Sequence, residues 1–403
     1  MSLTSISTLT FQTNATDSIE ALDNAISKTQ NQLSTGLTLQ DAADNPVAML
    51  QVNQLNTELS ASQQYSTNGN LVSTNLQLEE QALTNATNVL QSVQSLADEA
   101  NNSSLSSSQL QDIGTQLSQQ LQQLVSIANS TDSNGNYLFS GYAGTTQPFS
   151  QTSGMVTYSG AEETSQVQIG ANQSVSTSDT GSSVFMNIAG GNGTFTTSAG
   201  SANAGTASIG PGTVTDPSEW QAAADTYTIG FTSPTAYQIT NSAGTVLTTG
   251  TYDSTTGDTI SFNGIQVAIS GDPAMGDEFT VAPAGSSSAF ATIQSLITTL
   301  NSSGLNSGQM ATQISQAIEQ LSSAVNNLND VQASVGARIN AVTAAQSTET
   351  SDQTDYQTQI SNLSETDYAA ATTQLSGEEV ALQAAEESYA SLDKLSLFNY
   401  ISG

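Results

Sequence analysis

The N-terminal flank of the chain carries apolar residues at alternating intervals of three and four, the spacing that lines one face of an α-helix. Three such stripes predict three helices. The first stripe consists of Ala15, Ile19, Leu22, Ile26 and Leu33. The second consists of Val72, Leu76, Leu83, Leu90 and Val93, with Glu79 and Ala86 filling two of its slots. The third, in a helix predicted for about residues 108–128, consists of Leu110, Ile113, Leu117, Leu121 and Leu124.

Two residues mark the break between the first and second helices. Gly36 follows the first stripe, and Pro46 disfavours a helical conformation for the residue before it. Proline fits the first position of a helix, where a backbone N–H would have no partner within the helix. Asn45 is therefore predicted to stand directly before a helix that starts at Pro46.

The C-terminal flank has the longest regular repeat. Its stripe consists of Ile314, Ile318, Leu321, Val325, Leu328, Gln332, Val335, Ile339, Val342 and Gln346. No proline interrupts it, and Gly336 is its only glycine after Gly308. A single helix over about residues 307–365 would be about 90 Å long, and a seven-residue repeat of that length is typical of a coiled-coil rod. A last helix is predicted near residues 375–392, and its stripe holds Leu375, Leu382 and Tyr389.

Between the two flanks the apolar period changes to two. Residues 259–269 alternate on both sides of Asn263-Gly264, which favours a type I′ hairpin because both turn residues need positive φ. Further strands are predicted at residues 227–231 and 245–247. Residues 198–215 are rich in Gly, Ala and Ser and are predicted to form a long loop.

These patterns predict an α+β protein, with a long antiparallel helical coiled-coil rod built from both chain ends and an inserted mainly-β domain. Of the 30 glycines, 21 lie between Gly141 and Gly285, inside the insert. The predicted divisions are an N-terminal assembly helix (1–42), the N-terminal half of the rod (43–142), the inserted β domain (143–286), the C-terminal half of the rod (287–366) and a C-terminal assembly helix (367–403).

Composition narrows the possible functions. The 403 residues include 3 Lys and Arg, 35 Asp and Glu, and no His or Cys, for a net charge of −32. Three cations form no basic patch, so neither nucleic acid nor an anionic membrane is an expected partner. Without His or Cys, Ser-His-Asp and Cys-His catalysis and ordinary zinc sites are excluded. The sequence contains no run of about 18 apolar residues, so no membrane-spanning helix is predicted. No basic residue precedes Lys28, which argues against a secretory signal peptide.

Acidic motifs give no catalytic or metal site. Residues 132–136 resemble the start of an EF-hand loop, but Tyr137 and Ala143 stand where that loop needs Gly and Glu, so a polar turn is predicted. Adjacent carboxylates occur at residues 79–80, 162–163, 378–379 and 386–387, and neighbours on a helix point in different directions. We expect these pairs to be solvated, and we assign no catalytic, metal-binding or cofactor-binding residue. A surface glycosidase would instead require two carboxylates that converge at roughly 5–10 Å.

Several segments resemble the family of bacterial flagellins and hook-associated proteins. Residues 32–36 and 41–48 are similar to its N-terminal signature, and residues 335–338 are similar to its C-terminal coiled-coil signature. Residues 129–141 resemble the hook-associated members more than flagellin, and residues 262–279 resemble a β segment of hook-associated proteins. The resemblance covers both flanks and, more weakly, the β insert.

The resemblance implies a structural protein outside the cell, exported unfolded by the flagellar type III apparatus with a chaperone and without a cleaved signal. It implies a homo-oligomeric ring at the hook–filament junction, between hook-associated protein 1 and flagellin. The alternative is flagellin itself, which would polymerise into long filaments after purification. The residues expected to serve structure or assembly are Gly36, Asn45, Pro46, Gly336, Arg338, Leu375, Leu382 and Tyr389. Arg338 is expected to pair with an acidic residue of the N-terminal flank or of a neighbouring subunit.

Overall fold

The structure, a computed structural model, describes residues 2–152 and 154–401. The chain forms two compact units, one made of Met1–Thr67 with Gln346–Gly403 and the other of Asn68–Ala345. These units divide the chain differently from the five segments predicted from sequence, which remain a prediction.

Along the chain, long helices precede and follow a mainly-β middle, so the α+β class is confirmed. The α-helices are α1 (Ser2–Thr35), α2 (Pro46–Ala100), α3 (Ser107–Ala128), α4 (Pro217–Ala223), α5 (Ala289–Leu300), α6 (Ser307–Ser364) and α7 (Tyr368–Ile401). The first and last helices extend well beyond their predicted apolar stripes, which cover residues 15–33 and 375–389. The Asn45 side chain caps α2 by accepting the Ala48 N–H at 3.1 Å, and Pro46 is the first residue of that helix.

In the unit Asn68–Ala345, helices α2, α3, α5 and α6 share one apolar core. Gln332 of α6 donates to Thr84 of α2 at 3.0 Å, while Arg338 lies in one polar cluster with Glu79. Lower positions on α2 thus face higher positions on α6, so these two helices run antiparallel. The fully buried leucines of this core that come from helices are Leu76, Leu83, Leu90, Leu117, Leu121, Leu124, Leu296, Leu321 and Leu328.

The inserted region contains fifteen short strands within the described residues. They are β1 (Phe149–Thr152), β2 (Met155–Tyr158), β3 (Gln166–Gly170), β4 (Gln173–Ser176), β5 (Ile188–Ala189), β6 (Phe195–Ala199), β7 (Ser208–Ile209), β8 (Thr213–Val214), β9 (Tyr227–Ser233), β10 (Ala236–Thr240), β11 (Val246–Thr251), β12 (Asp258–Phe262), β13 (Ile265–Ser270), β14 (Glu278–Pro283) and β15 (Ser286–Ser287). A π-helical turn, Ser182–Met186, lies between β4 and β5.

The two parts of the insert have separate cores. Around the first strands, Phe149 and Phe185 pack against each other and against Phe290 of α5, with ring centroids 5.0–5.7 Å apart, so this part joins the helical core. The later strands form an antiparallel sheet in the order β11-β10-β9-β14-β6 and a smaller one in the order β12-β13-β7, with β8 also paired to β13. Trp220 of α4 is buried in this second core.

The strand predictions are confirmed, since residues 227–231 lie in β9 and residues 245–247 overlap β11, and the loop prediction is wrong in part. Asn263 and Gly264 have φ values of 46° and 74° and connect β12 to β13, as the hairpin pattern indicates. The predicted loop over residues 198–215 is irregular over most of its length, but it also holds the end of β6 together with β7 and β8. These strands pair with β14 and β13, which lie far away in sequence. Short strands with distant partners leave no local alternation to detect.

Candidate assembly surface

Helices α1 and α7 pack against each other along a heptad seam. Thr29 contacts Glu378, whereas Gly36 contacts Thr366, so the two helices run antiparallel. The α1 side of the seam includes Ala15, Ile19, Leu22, Ile26, Thr29 and Leu33. The α7 side includes Ala371, Leu375, Glu378, Leu382, Ala385 and Tyr389. Most of these side chains are only half-buried, because two helices alone cannot enclose a seam. The uncovered part remains available to further helices.

A polar contact fixes the register of this pair. The Thr29 side chain is buried, and its hydroxyl lies 2.9 Å from Glu378 Oε2 and 3.0 Å from the Ala25 carbonyl oxygen. The hydrogen bond between the two helices forms only in this register, whereas the Ala25 carbonyl and the Gln374 side chain, which donates to Glu378 Oε1 at 2.9 Å, are partners within α1 and α7.

A short backbone clasp joins the residues after the end of α1 to the turn between α6 and α7. It is formed by residues 36–38 and 364–366. The Thr38 N–H donates to the Ser364 carbonyl at 2.7 Å, and the Thr366 N–H donates to the Gly36 carbonyl at 2.9 Å. Gly36 has a φ of +73°, and a Cβ atom there would lie 3.0 Å from Tyr368 Oη. Glycine therefore allows both the left-handed turn that ends α1 and the close approach of Tyr368.

An ion pair ties α1 to the turn before α2. Lys28 Nζ lies 2.7 Å from Asp44 Oδ1, and Asp44 Oδ2 accepts the backbone N–H groups of Gln40 and Asp41, each at 3.2 Å. The hydrogen bond from Lys28 and then these backbone bonds lower the pKa of Asp44 to about 2. The turn therefore has a fixed shape directly before Asn45 and Pro46.

The unit made of Met1–Thr67 and Gln346–Gly403 also exposes small and apolar side chains outside the seam. On α7, Ala370, Gly377, Ala384 and Ser391 are exposed at seven-residue spacing, and Val380 is 67% exposed. Near the start of α2, Val47 and Leu50 are 66% and 71% exposed. Small side chains let another helix approach closely, and exposed apolar residues favour burial by a partner.

Within the described residues the chain shows neither a metal site nor a membrane-crossing helix. No group of three or more Asp and Glu side chains is placed to hold a metal ion there. No helix in the same residues combines the length and apolar character that crossing a bilayer requires.

Two known protein families match this chain, one over the N-terminal flank and one over part of the inserted region. The family described as the bacterial flagellin N-terminal helical region matches residues 6–144. The D2-like domain of flagellar hook-associated protein 1 matches residues 198–283. The solved structure of FlgL from Xanthomonas campestris is similar over 76% of this chain and 99% of its own, with 32% identity and a TM-score of 0.70. The chain belongs to the FlgL (flagellar hook-associated protein 3) family.

Other relatives from the FlgL family agree. The flagellar junction protein FlgL of Legionella pneumophila is 30% identical, with a TM-score of 0.66, and the similarity covers 73% of this chain and 99% of that one. Flagellar hook-associated protein 3 of Escherichia coli K12 is 32% identical over 157 residues, which are 39% of this chain and 49% of that protein. The chain thus matches about half the length of this curated relative.

The structure brings six of the eight predicted residues into the unit that contains both chain ends: Gly36, Asn45, Pro46, Leu375, Leu382 and Tyr389. Their role in assembly within a FlgL-family protein remains a prediction. Gly336 and Arg338 belong to the other unit. A Cβ atom at Gly336 would meet nothing within 4 Å, so the backbone geometry does not require glycine there.

Two expectations about charged residues are wrong. Arg338 forms its ion pair with Asp179, which lies in the inserted region and not in the N-terminal flank, while a contact with a neighbouring subunit stays a prediction. Glu79 was expected on a solvated face, but it is fully buried. The reason is the same in both cases: the segment after β4 covers α2 and α6 at this point, so that the Asp179 N–H donates to Glu79. The signal for Glu79 was its place in a slot of the apolar stripe, between Leu76 and Leu83.

Proposed function

We propose that the protein is a structural component of the bacterial flagellum that forms the ring at the junction between hook and filament. The observation that carries this proposal is the pairing of the two chain ends in α1 and α7, whose seam is half-exposed. Membership of the FlgL family and similarity to a junction protein from Legionella pneumophila support it.

In this proposal the protein is extracellular and contacts itself, hook-associated protein 1 on the hook side and flagellin on the filament side. The family resemblance supports type III export with a chaperone and without a cleaved signal peptide. The uncovered seam and the exposed stripe of α7 supply the surfaces for copies of the chain and for these partners. No catalytic step is proposed, because the relatives are flagellar structural proteins.

Flagellin itself is the alternative, since the N-terminal match is described as a flagellin region. The match of residues 198–283 to a domain of hook-associated protein 1 favours the junction role. Purified flagellin polymerises into long filaments, so filament growth from this protein alone would support the alternative.

Deletion of the gene tests the proposal. We expect cells to retain hooks, to lack filaments and to release flagellin into the medium, as seen by electron microscopy and by analysis of the secreted protein. Complementation with Ala384→Glu, which places a charge on the exposed stripe of α7, should not restore filaments. The matched control is Ala291→Glu on the exposed first turn of α5, which should restore them. Normal filaments in the deletion strain would refute the proposal.

A further inference from the structure

The unit Asn68–Ala345 holds a cluster of three charged residues, Glu79, Asp179 and Arg338. Glu79 of α2 has no exposed surface, and its Oε1 accepts the Asp179 N–H at 2.8 Å. Its Oε2 is buried and has no hydrogen-bond partner among the described residues. Arg338 of α6 is ion-paired with the Asp179 carboxylate, and the side chains of Arg338 and Asp179 are 16% and 25% exposed.

The cluster contains two carboxyl groups and one cation. The Arg338 charge is matched by Asp179, so an ionised Glu79 would add a negative charge without a counter-ion. Burying such a charge is costly, and a buried carboxyl group normally takes up a proton instead. The charged groups that face Glu79 from the elements packed against it are Arg338 and Asp179, while Glu80 beside it on α2 is exposed.

We propose that Glu79 is a proton-binding site whose proton holds the segment 177–186 against helices α2 and α6, and that alkaline solution releases the proton and loosens this segment. The segment contains Asp179 and the π-helical turn, including Phe185, which is buried in the aromatic cluster. Loss of the proton places a negative charge beside Asp179, in the contact between this segment and the two helices.

The direction of the pH effect follows from the cluster. Burial, followed by the negative charge of Asp179, raises the pKa of Glu79 from 4.5 to about 8, against the opposing Asp179 N–H bond and Arg338 charge. The folded chain therefore binds one more proton than the unfolded chain between these two pKa values. The stabilisation is fully present below about pH 4.5 and is lost as the pH rises through about 8.

Glu79→Gln tests the proposal, because glutamine has the same shape, keeps an oxygen for the Asp179 N–H and cannot ionise. Chemical unfolding should show that the folding equilibrium constant of the wild-type protein falls by up to about tenfold per pH unit between pH 5 and 8 relative to the variant. Glu80→Gln, a change at the neighbouring exposed carboxylate, is the matched control and should follow the wild type. An unchanged pH dependence in Glu79→Gln would overturn the proposal.

A direct measurement covers the case in which the variant does not fold. Infrared spectroscopy of the wild-type protein should show a protonated carboxyl group at pH 7 that titrates near pH 8, when most other carboxyl groups are already ionised. Hydrogen exchange, corrected for its intrinsic pH dependence, should rise in residues 177–186 over the same range. A spectrum at pH 7 without a protonated carboxyl group would overturn the proposal.

Discussion

Single residues determine how the two ends of the chain meet. Gly36 ends α1 in the left-handed region, and its carbonyl accepts the Thr366 N–H across the clasp. Asp44 fixes the following turn through Lys28 and two backbone N–H groups. Each of these contacts joins parts of the unit made of Met1–Thr67 and Gln346–Gly403, so changes here should act on that unit.

Gly36→Ala should destabilise the terminal helix pair by about 1–2 kcal/mol, because a Cβ atom is strained at positive φ and would crowd Tyr368. Urea unfolding followed by circular dichroism measures the change. Gly336→Ala is the matched control: it lies within α6 with open space around it, and alanine should stabilise that helix by up to about 1 kcal/mol. Equal effects of the two changes would contradict the assignment of Gly36.

Arg338→Gln should lower the free energy of unfolding by roughly 2–3 kcal/mol, because it leaves the partly buried Asp179 carboxylate without its cation. Thermal unfolding at pH 7 tests this. Arg338→Lys keeps the charge but not the planar fork, and should be intermediate. Unchanged stability together with normal filament formation would remove the structural role.

Local sequence signals identified some of these residues and missed others. Asn45 and Pro46 act within one helix turn, and Asn263 with Gly264 within one hairpin, so their roles can be read locally. The partner of Arg338 lies 159 positions away, a pairing that no periodicity predicts.

At the scale of elements, the half-buried seam separates contacts within one chain from surfaces available to partners. Leu382 lies in the seam between α1 and α7, whereas Val380, two positions earlier, points away from it and is exposed. The heptad pattern predicted the seam of α7 but not this second surface, because apolar residues on more than one face weaken the periodic signal.

Leu382→Ala should destabilise the helix pair by about 1–2 kcal/mol, below the range of about 2–5 kcal/mol for fully buried leucines, because the side chain is only half-buried. Val380→Ala should leave the stability of the isolated chain within about 0.5 kcal/mol and should weaken assembly. Urea unfolding gives the first quantity and filament restoration in a deletion strain gives the second. If Val380→Ala were as destabilising as Leu382→Ala, the division of α7 into inner and outer surfaces would be wrong.

At the scale of the whole molecule, the scarcity of cations matters more than the number of acids. With 35 acidic residues, 3 cations and no histidine, copies of the chain repel one another at neutral pH. Near pH 3 most carboxyl groups with ordinary pKa values near 4 are protonated, and few positive charges remain to repel each other. The pKa of about 2 at Asp44 keeps its ion pair with Lys28 intact at that pH.

We therefore expect self-association to strengthen as the pH falls from 7 to about 3, with the fold retained. The contribution of Asp44 to stability is present above its unfolded pKa of 3.8 and is lost only as the pH falls through about 2, while the contribution of Glu79 to stability is greatest in acid.

Light scattering measures self-association, and thermal unfolding measures the stability of the fold, across pH 2–8. About 1 M salt shortens the screening length to roughly 3 Å, so it should strengthen association at pH 7 if charge repulsion is the cause. If the self-association of Glu79→Gln responds to pH and salt as the wild type does, the response comes from surface charge and not from the buried cluster around Glu79. A stability maximum near pH 7 with unfolding below pH 4 would show that the missing cations have another cause.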